Sequence, residues 1–503
     1  MTLENLGSIL NPDVASDQLA LIDLSKQGQD RFVTYAELDR LSDAVAQGLV
    51  NQGLAPESFV AIDLENCVEH LATRFGIQRA GHTAVPINYK LPDKTVNLIL
   101  EDSKTTFAFI DVRRLNSYPE HLPKVVFRSA GRPVKSVVAS FEDFLDYSGF
   151  GPVAVDPELA AELLYTSGST GTPKGVLLSH RSHLWILEVR LRDLSFAGER
   201  ALVAAPFFHM QGTTMSQLVL AGGGTLILMP SFSSRSYIEA IAKHHPTWLT
   251  GVPPMMAMML QEEELLATVD LTGITTIRLG SAPVGEALLQ QLRAHFPQAR
   301  IINGYGTTES GPVVFGAHPD GLPTPVGSVG YSHSGVELRL TGPTPDTGEL
   351  EIKSPGAMTG YLGRPDLDHV MSEDGFYRTG DVFTRDGDGF FYFVSRADDM
   401  FNCGGENVYP SEVEKVLEGM PGIRQAGVVA LPDPIKGHKP VAFVVLEPGS
   451  DLDEVTIKQD YLKVAPAYQH PRMVWIVEEI PITATNKQDQ RELHRRATIL
   501  AAP

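Results

Sequence analysis

Through the first three quarters of the chain, short apolar runs rich in β-branched residues alternate with longer stretches whose apolar positions recur at helical spacing. ERALVAAP precedes MQGTTMSQLVLAG, PTWLTG precedes PPMMAMMLQEEELLA, and TTIRLG precedes VGEALLQQLRAHF, while GTLILMP and ARIING read as further strands. Repetition of strand, loop and helix predicts an α/β fold with parallel, helix-covered sheets, in which loops at the carboxyl ends of strands receive ligands. From about Gly327 to Arg396 the pattern changes. Glycine, proline, aspartate and β-branched residues crowd together in GVELRLTGPTPDTGELEIKSPG and DGDGFFYFVSR, which predicts short strands and tight turns in a small antiparallel or barrel-like layer. Beyond Arg396 the pattern is α+β, with PSEVEKVLEGM and VTIKQDYLKVA as helices and RQAGVVAL and PVAFVVLE as strands. The predicted boundary lies near Ser395–Asp399, between a large domain over residues 1–395 and a small one over 396–503.

Composition narrows the classes. A chain of 503 residues exceeds what one hydrophobic core usually organises. With 41 basic and 61 acidic residues the formal net charge is −20, which argues against nucleic acid or an anionic membrane as a partner. Arg113-Arg114 and His494-Arg495-Arg496 are too short to reverse that and read as solvated faces. Two cysteines, Cys67 and Cys403, cannot build a disulfide framework at this length and fit a reducing compartment. MTLENLGSIL lacks the pattern of a signal peptide, and the longest apolar stretch, LVLAGGGTLILMP, is short and broken by glycine. The expectation is a cytoplasmic protein.

One stretch carries chemistry on its face. LYTSGSTGTPKGVLLSH places Thr166, Ser167, Gly168, Ser169, Thr170, Gly171, Thr172, Lys174 and Gly175 within ten positions between two apolar runs. Glycines let backbone N–H groups approach a polyphosphate, hydroxyls add donors, and one lysine adds a point charge. The order is not a Walker A loop, because Pro173 precedes the lysine and Gly175 follows it. A plain surface linker would rarely leave one apolar strand and enter another so abruptly.

YTSGSTGTPKGV resembles the phosphate loop of the adenylate-forming superfamily, which contains acyl- and aryl-CoA ligases, luciferases and peptide-synthetase adenylation domains. Further motifs follow in the family's order. NGYGTTES resembles its adenine and metal segment, so the resemblance implies that Gly304, Tyr305, Gly306, Thr307 and Thr308 meet the nucleotide. Glu309, with Thr166, would serve Mg²⁺, which commonly binds through one or two carboxylates plus phosphate. Ser281, Ala282 and Pro283 join the nucleotide site by the same resemblance. YRTGD reads as a tight turn followed by a carboxylate, and the resemblance implies that Asp381 accepts from the ribose hydroxyls, with Arg396 as a second ribose contact. SRADDMFNCGGENVYPSEVE is similar to the start of the family's mobile small domain, except that Ser395 stands where a glycine is usual. Asp398 falls at the hinge, and Gly404 and Gly405 at the pantetheine tunnel for coenzyme A (CoA). Lys487, in NKQDQ, matches the lysine that reaches the carboxylate and the α-phosphate, in a form associated with aryl-CoA ligases. A catalytically silent relative would be expected to lose Lys487, Glu309 or Asp381, and all three are present.

APFFHMQG fits the family segment that places His209 where the acid enters, beside Met210 and Gly212. Without the resemblance, His209 reads as a satisfied core histidine. FFHMQGTTM has no carboxylate to hold an ammonium, which argues against an amino acid, and Met210 cannot read an ortho-hydroxyl. A dicarboxylate would need a cation, and no arginine stands out in these segments. Val252, Gly280, Asn303 and Gly304 would complete a small, mostly apolar pocket for an aromatic, cinnamate-like or short to medium acyl acid. The resemblance therefore implies an AMP-forming ligase that uses ATP, Mg²⁺ and CoA through an acyl-adenylate. Loading of a carrier protein is the alternative, luciferase-like oxidation a third option, and homodimers are common in the family.

Overall fold

The computed structural model describes residues 4–26, 29–128, 138–167, 173–282, 284–397, 399–403, 406–483 and 488–501. Among them a seven-stranded sheet runs in the order Arg300–Asn303, Thr276–Leu279, Trp248–Gly251, Arg200–Val203, Thr225–Leu228, Leu19–Asp23, Arg31–Thr34. Every neighbouring pair is parallel except the last. An eight-stranded sheet holds Ala160–Ser167 parallel to Thr83–Pro86 and antiparallel to Pro173–Ser179. The strands are near-continuous apolar runs because both faces are covered, as parallel sheets require. One large core joins helices Tyr35–Asn51, Val68–Arg79 and Met210–Ala221 to the two sheets, and a second packs helices Ser234–His244, Pro253–Leu260 and Glu286–His295 on the other face of the seven-stranded sheet.

A six-stranded antiparallel sheet forms the predicted β-rich layer, but it starts at Phe315–Gly316, upstream of Gly327. A five-stranded sheet lies wholly beyond Arg396, with its own core around Val408, Val413, Val428 and Tyr461. Ser411 Oγ donates to the Val394 carbonyl across the junction at 2.5 Å.

Two expectations change. PPMMAMMLQEEELLA is two helices, Pro253–Leu260 and Glu263–Leu266. Glu262 breaks the run with φ −83 and ψ 51, and the acidic Glu263 and Glu264 after it favour a new helix start. YRTGD is no turn but part of strand Tyr377–Arg385, where the register against Thr347–Lys353 shifts between Glu349 and Glu351. Gly380 takes φ +70 there, and a Cβ would sit 3.0 Å from the Arg396 guanidinium.

Candidate active site

The hydroxyl-rich loop closes a hairpin. Thr166 pairs with Lys174 and Ser167 with Pro173, so the strands deliver both ends of the loop to one place. Gly168, Ser169, Thr170, Gly171 and Thr172 lie outside the described residues. No helix follows directly as in a P-loop: Pro173–Ser179 is a strand, so donors must come from loop amides, hydroxyls and Lys174.

Strand Gly360–Tyr361 pairs with Val176 and Leu177 beside that hairpin. Lys174 Nζ stands 5.9 Å from the centre of the Tyr361 ring, and Tyr361 donates its hydroxyl to Glu309 Oε1 at 2.9 Å. Glu309 is half-buried; its second carboxylate oxygen has no hydrogen-bond partner among the described residues. One held oxygen and one open oxygen suit a hard cation bound through a single carboxylate plus phosphate. The preceding turn is locked by Thr307 N–H to Ser310 Oγ at 3.0 Å and Ser310 N–H to Thr307 Oγ1 at 3.0 Å. Gly306 has no room for a side chain, because a Cβ would meet the Gly311 carbonyl at 2.5 Å.

Register places Asp381 directly opposite Arg396. Arg396 Nη1 donates to Asp381 Oδ1 at 3.0 Å and to the Thr379 carbonyl at 3.1 Å, and Tyr305 donates its hydroxyl to Asp381 Oδ2 at 2.5 Å. The carboxylate is thereby fixed in orientation. Burial, then the charges of Glu309 and Asp381, push the phenols of Tyr361, Tyr377 and Tyr305 upward, so all three remain protonated donors.

His209 is half-buried at the N-cap position of helix Met210–Ala221, edge-on to Phe208 with ring centroids 4.6 Å apart. A Cβ on Gly212 would lie 2.5 Å from both the Ala205 and Pro206 carbonyls, so glycine lets the helix dock on this loop. Met210 packs on Leu164, Val176 and Leu178 of the hairpin strands. Gln211 donates to the Gly251 carbonyl at 2.9 Å, next to Val252, and accepts from Ser281 Oγ at 3.3 Å. Ser281 holds φ +66, a left-handed conformation uncommon for serine. Gly280 stands 3.3 Å (at its Cβ position) from the Gly304 carbonyl, and Asn303 ends the adjacent strand with its amide on the Ser328 carbonyl at 3.5 Å. Ala282 and Thr308 are half-buried along the same rim. Pro283, Asp398, Gly404, Gly405 and Lys487 lie outside the described residues.

Several supporting residues carried no motif signal. Asn66 clamps the His209 loop, donating to the Ala205 carbonyl at 2.9 Å and accepting from Phe207 N–H at 3.0 Å. Arg74, fully buried, donates to Thr213 Oγ1 at 2.7 Å and to the Phe207 carbonyl, and pairs with Glu162 on the hairpin strand at 3.0 Å. Arg278 stands on strand Thr276–Leu279, which leads into Gly280, and its guanidinium lies 3.6 Å from the Cβ position of Gly304. A lone charge in TTIRLG was the available signal. Cys67 and Cys403 are both reduced and buried, and Cys403 fills the small-domain core.

Residues 11–362 match the AMP-binding enzyme family, and residues 412–487 match the AMP-binding enzyme C-terminal domain. A feruloyl-CoA synthase of Amycolatopsis sp is 34% identical over 92% of this chain and 94% of its own. A fatty acid–[acyl-carrier-protein] ligase of Streptomyces coeruleorubidus is 31% identical over 93% of this chain and 92% of its own. The crystal structure of an anthranilate CoA ligase in complex with anthranoyl-AMP superposes with a TM-score of 0.88 at 24% identity, over 99% of this chain and 98% of that one, and so shares the fold. The chain belongs to the AMP-binding enzyme family of adenylate-forming enzymes. It is an acid–thiol ligase of the AMP-forming type, with a carboxylic acid, ATP and CoA as substrates and an acyl-adenylate between them. Among the described residues no helix is long and apolar enough to cross a membrane.

Proposed function

We propose that the acid is aromatic or cinnamate-like and that the residues assembled above divide its activation between them. One observation carries this reading: the continuous segment Asn303–Glu309 begins at the wall of the acid pocket, at Gly304 beside Gly280, and ends at the carboxylate beside Lys174 and Tyr361. An acid and a triphosphate held at its two ends meet where a carboxylate oxygen attacks the α-phosphorus and pyrophosphate leaves. The loop from Thr166 to Lys174 holds the β- and γ-phosphates. Asp381 and Arg396 hold the ribose, the ring of Tyr305 lies beside the base, and His209 flanks the entering acid. Glu309, with Thr166, is the group to hold Mg²⁺, which would neutralise phosphate charge when bound. Lys487 steadies the developing charge on the carboxylate and α-phosphate. With little covalent work for the protein, positioning and charge compensation carry the rate.

The small domain, with its boundary at residues 395/396, turns about Asp398 and withdraws Lys487. Gly404 and Gly405 then meet pantetheine, and the CoA thiol attacks the adenylate to release AMP. The feruloyl-CoA synthase relative and the small, largely apolar lining of Met210, Val252, Gly280 and Gly304 support an aromatic substrate. The similarity to an acyl-carrier-protein ligase favours a second reading, in which a carrier's pantetheine replaces free CoA. The two buried, reduced cysteines fit a cytoplasmic location.

The test is ATP–pyrophosphate exchange over benzoates, cinnamates and straight-chain acids, followed by AMP release with CoA or with a purified carrier domain. Exchange with an aromatic acid and AMP release on adding CoA is the expected result. Exchange confined to alkyl acids would overturn the aromatic assignment, and AMP release only with the carrier would select the second reading.

A further inference from the structure

The inference concerns Arg278 and rests on the acid-pocket reading above. Along strand Thr276–Leu279 the side chains alternate: Ile277 and Leu279 enter the core beneath helices Pro253–Leu260 and Glu286–His295, so Arg278 points from the opposite face. In register with it stand Thr250 on one neighbouring strand and Ile302 on the other. Its guanidinium is half-buried beside Gly304 and makes no hydrogen bond or ion pair among the described residues.

Among the described residues no carboxylate acts on Arg278. The charged group that does is a second cation, Arg190 of helix His180–Asp193, whose own donors are used on the Pro312 and Phe315 carbonyls at 3.2 and 3.3 Å. Desolvation and that repulsion pull the Arg278 guanidinium down to about 10. A half-buried cation without an anion is a cost to the fold, and such costs concentrate where a ligand completes the interaction. The guanidinium is a rigid fork suited to a planar oxygen group.

We propose that Arg278 sets the specificity of the acid pocket by binding a second acidic oxygen group of the substrate, a carboxylate or a phenol oxygen, remote from the carboxyl that is adenylated. The acid is therefore bifunctional: one end goes to ATP and the other to Arg278. Glycine at 304 keeps the path between them open, since nothing projects from that position toward the guanidinium.

The experiment compares kcat/KM for wild type, Arg278→Met and Arg278→Lys on matched acids: benzoate and cinnamate, unsubstituted, with a ring hydroxyl, or with a second carboxylate. Wild type should prefer one oxygen-substituted series over its parent by at least about tenfold, in line with a charge-assisted hydrogen bond. The series preferred decides between carboxylate and phenol. Arg278→Met should bring that ratio to within about threefold, with Arg278→Lys between. Thermal melts should show Arg278→Met folded, at least as stable as wild type without ligand, and still stabilised by ATP. A wild-type preference for the unsubstituted acids, or a folded Arg278→Met that keeps the wild-type ratio, would overturn the proposal while leaving the aromatic reading intact. Absence of exchange with every aromatic acid would sink the aromatic reading and this proposal with it.

Discussion

Glu309 is positioned by one hydrogen bond from a distant strand. Its carboxylate is held at Oε1 by Tyr361, a residue 52 positions later in the chain. Replacing Glu309 with Gln keeps the shape and removes the charge, so pyrophosphate exchange should fall by about 10²-fold or more, with a higher Mg²⁺ concentration at half-maximal rate. Tyr361→Phe leaves the charge but frees its orientation, and a loss of about tenfold is expected from a hydrogen bond to a charged acceptor. An unchanged Mg²⁺ requirement in Glu309→Gln would remove Glu309 from the metal. The sequence marked Glu309, His209, Asp381 and Lys174, because each stands in a dense local motif. It did not mark Tyr361, Asn66, Gln211 or Arg278, whose meaning lies in partners brought from other strands.

Between elements, the buried pair of Arg74 and Glu162 binds helix Val68–Arg79 to the strand that enters the hydroxyl-rich loop, and Arg74 also grips the loop before His209. Both groups are essentially inaccessible to solvent. Desolvation lifts the Glu162 carboxyl to about 7, against the opposing pull of Arg74. A carboxyl raised on folding contributes stability that is complete below its unfolded value, near 4.5, and is lost as pH rises toward 7. Arg74→Met removes the opposing cation and raises Glu162 further, so the loss should continue above pH 7. Urea denaturation should find the variant weaker by about 3–5 kcal/mol at neutral pH. The difference from wild type should grow from pH 6 to pH 8, and Arg74→Met/Glu162→Leu should recover most of it. A deficit independent of pH would assign the loss to packing alone. Strand and helix periodicity located both elements; nothing in it paired Arg74 with Glu162, 88 residues apart.

On the scale of the whole molecule, the five-stranded sheet beyond Arg396 has its own core, which suits a body that turns as a unit. If Lys487 serves the first half-reaction only, as proposed, Lys487→Ala should abolish exchange while thioester formation from supplied acyl-adenylate persists. On the proposed hinge, Asp398→Pro should restrict the turn, lowering one half-reaction by about 10²-fold and the other by less than threefold. Rapid-quench assays of each half-reaction measure both. Equal loss of the two half-reactions in Lys487→Ala would refute its role, and equal loss in Asp398→Pro would refute the hinge.

Local order in the chain was enough for the family, the parallel sheets and the antiparallel layer. Helical and strand periodicity, glycines at close approaches and clustered hydroxyls are short-range properties that survive without a fold. Tertiary structure alone decided that YRTGD is a bulged strand facing Arg396, that Tyr361 holds Glu309, and that Arg278 stands beside Gly304 with no anion among the described residues. Those facts depend on strand order and register between segments far apart in the chain, which are set by how whole sheets bury their faces against each other.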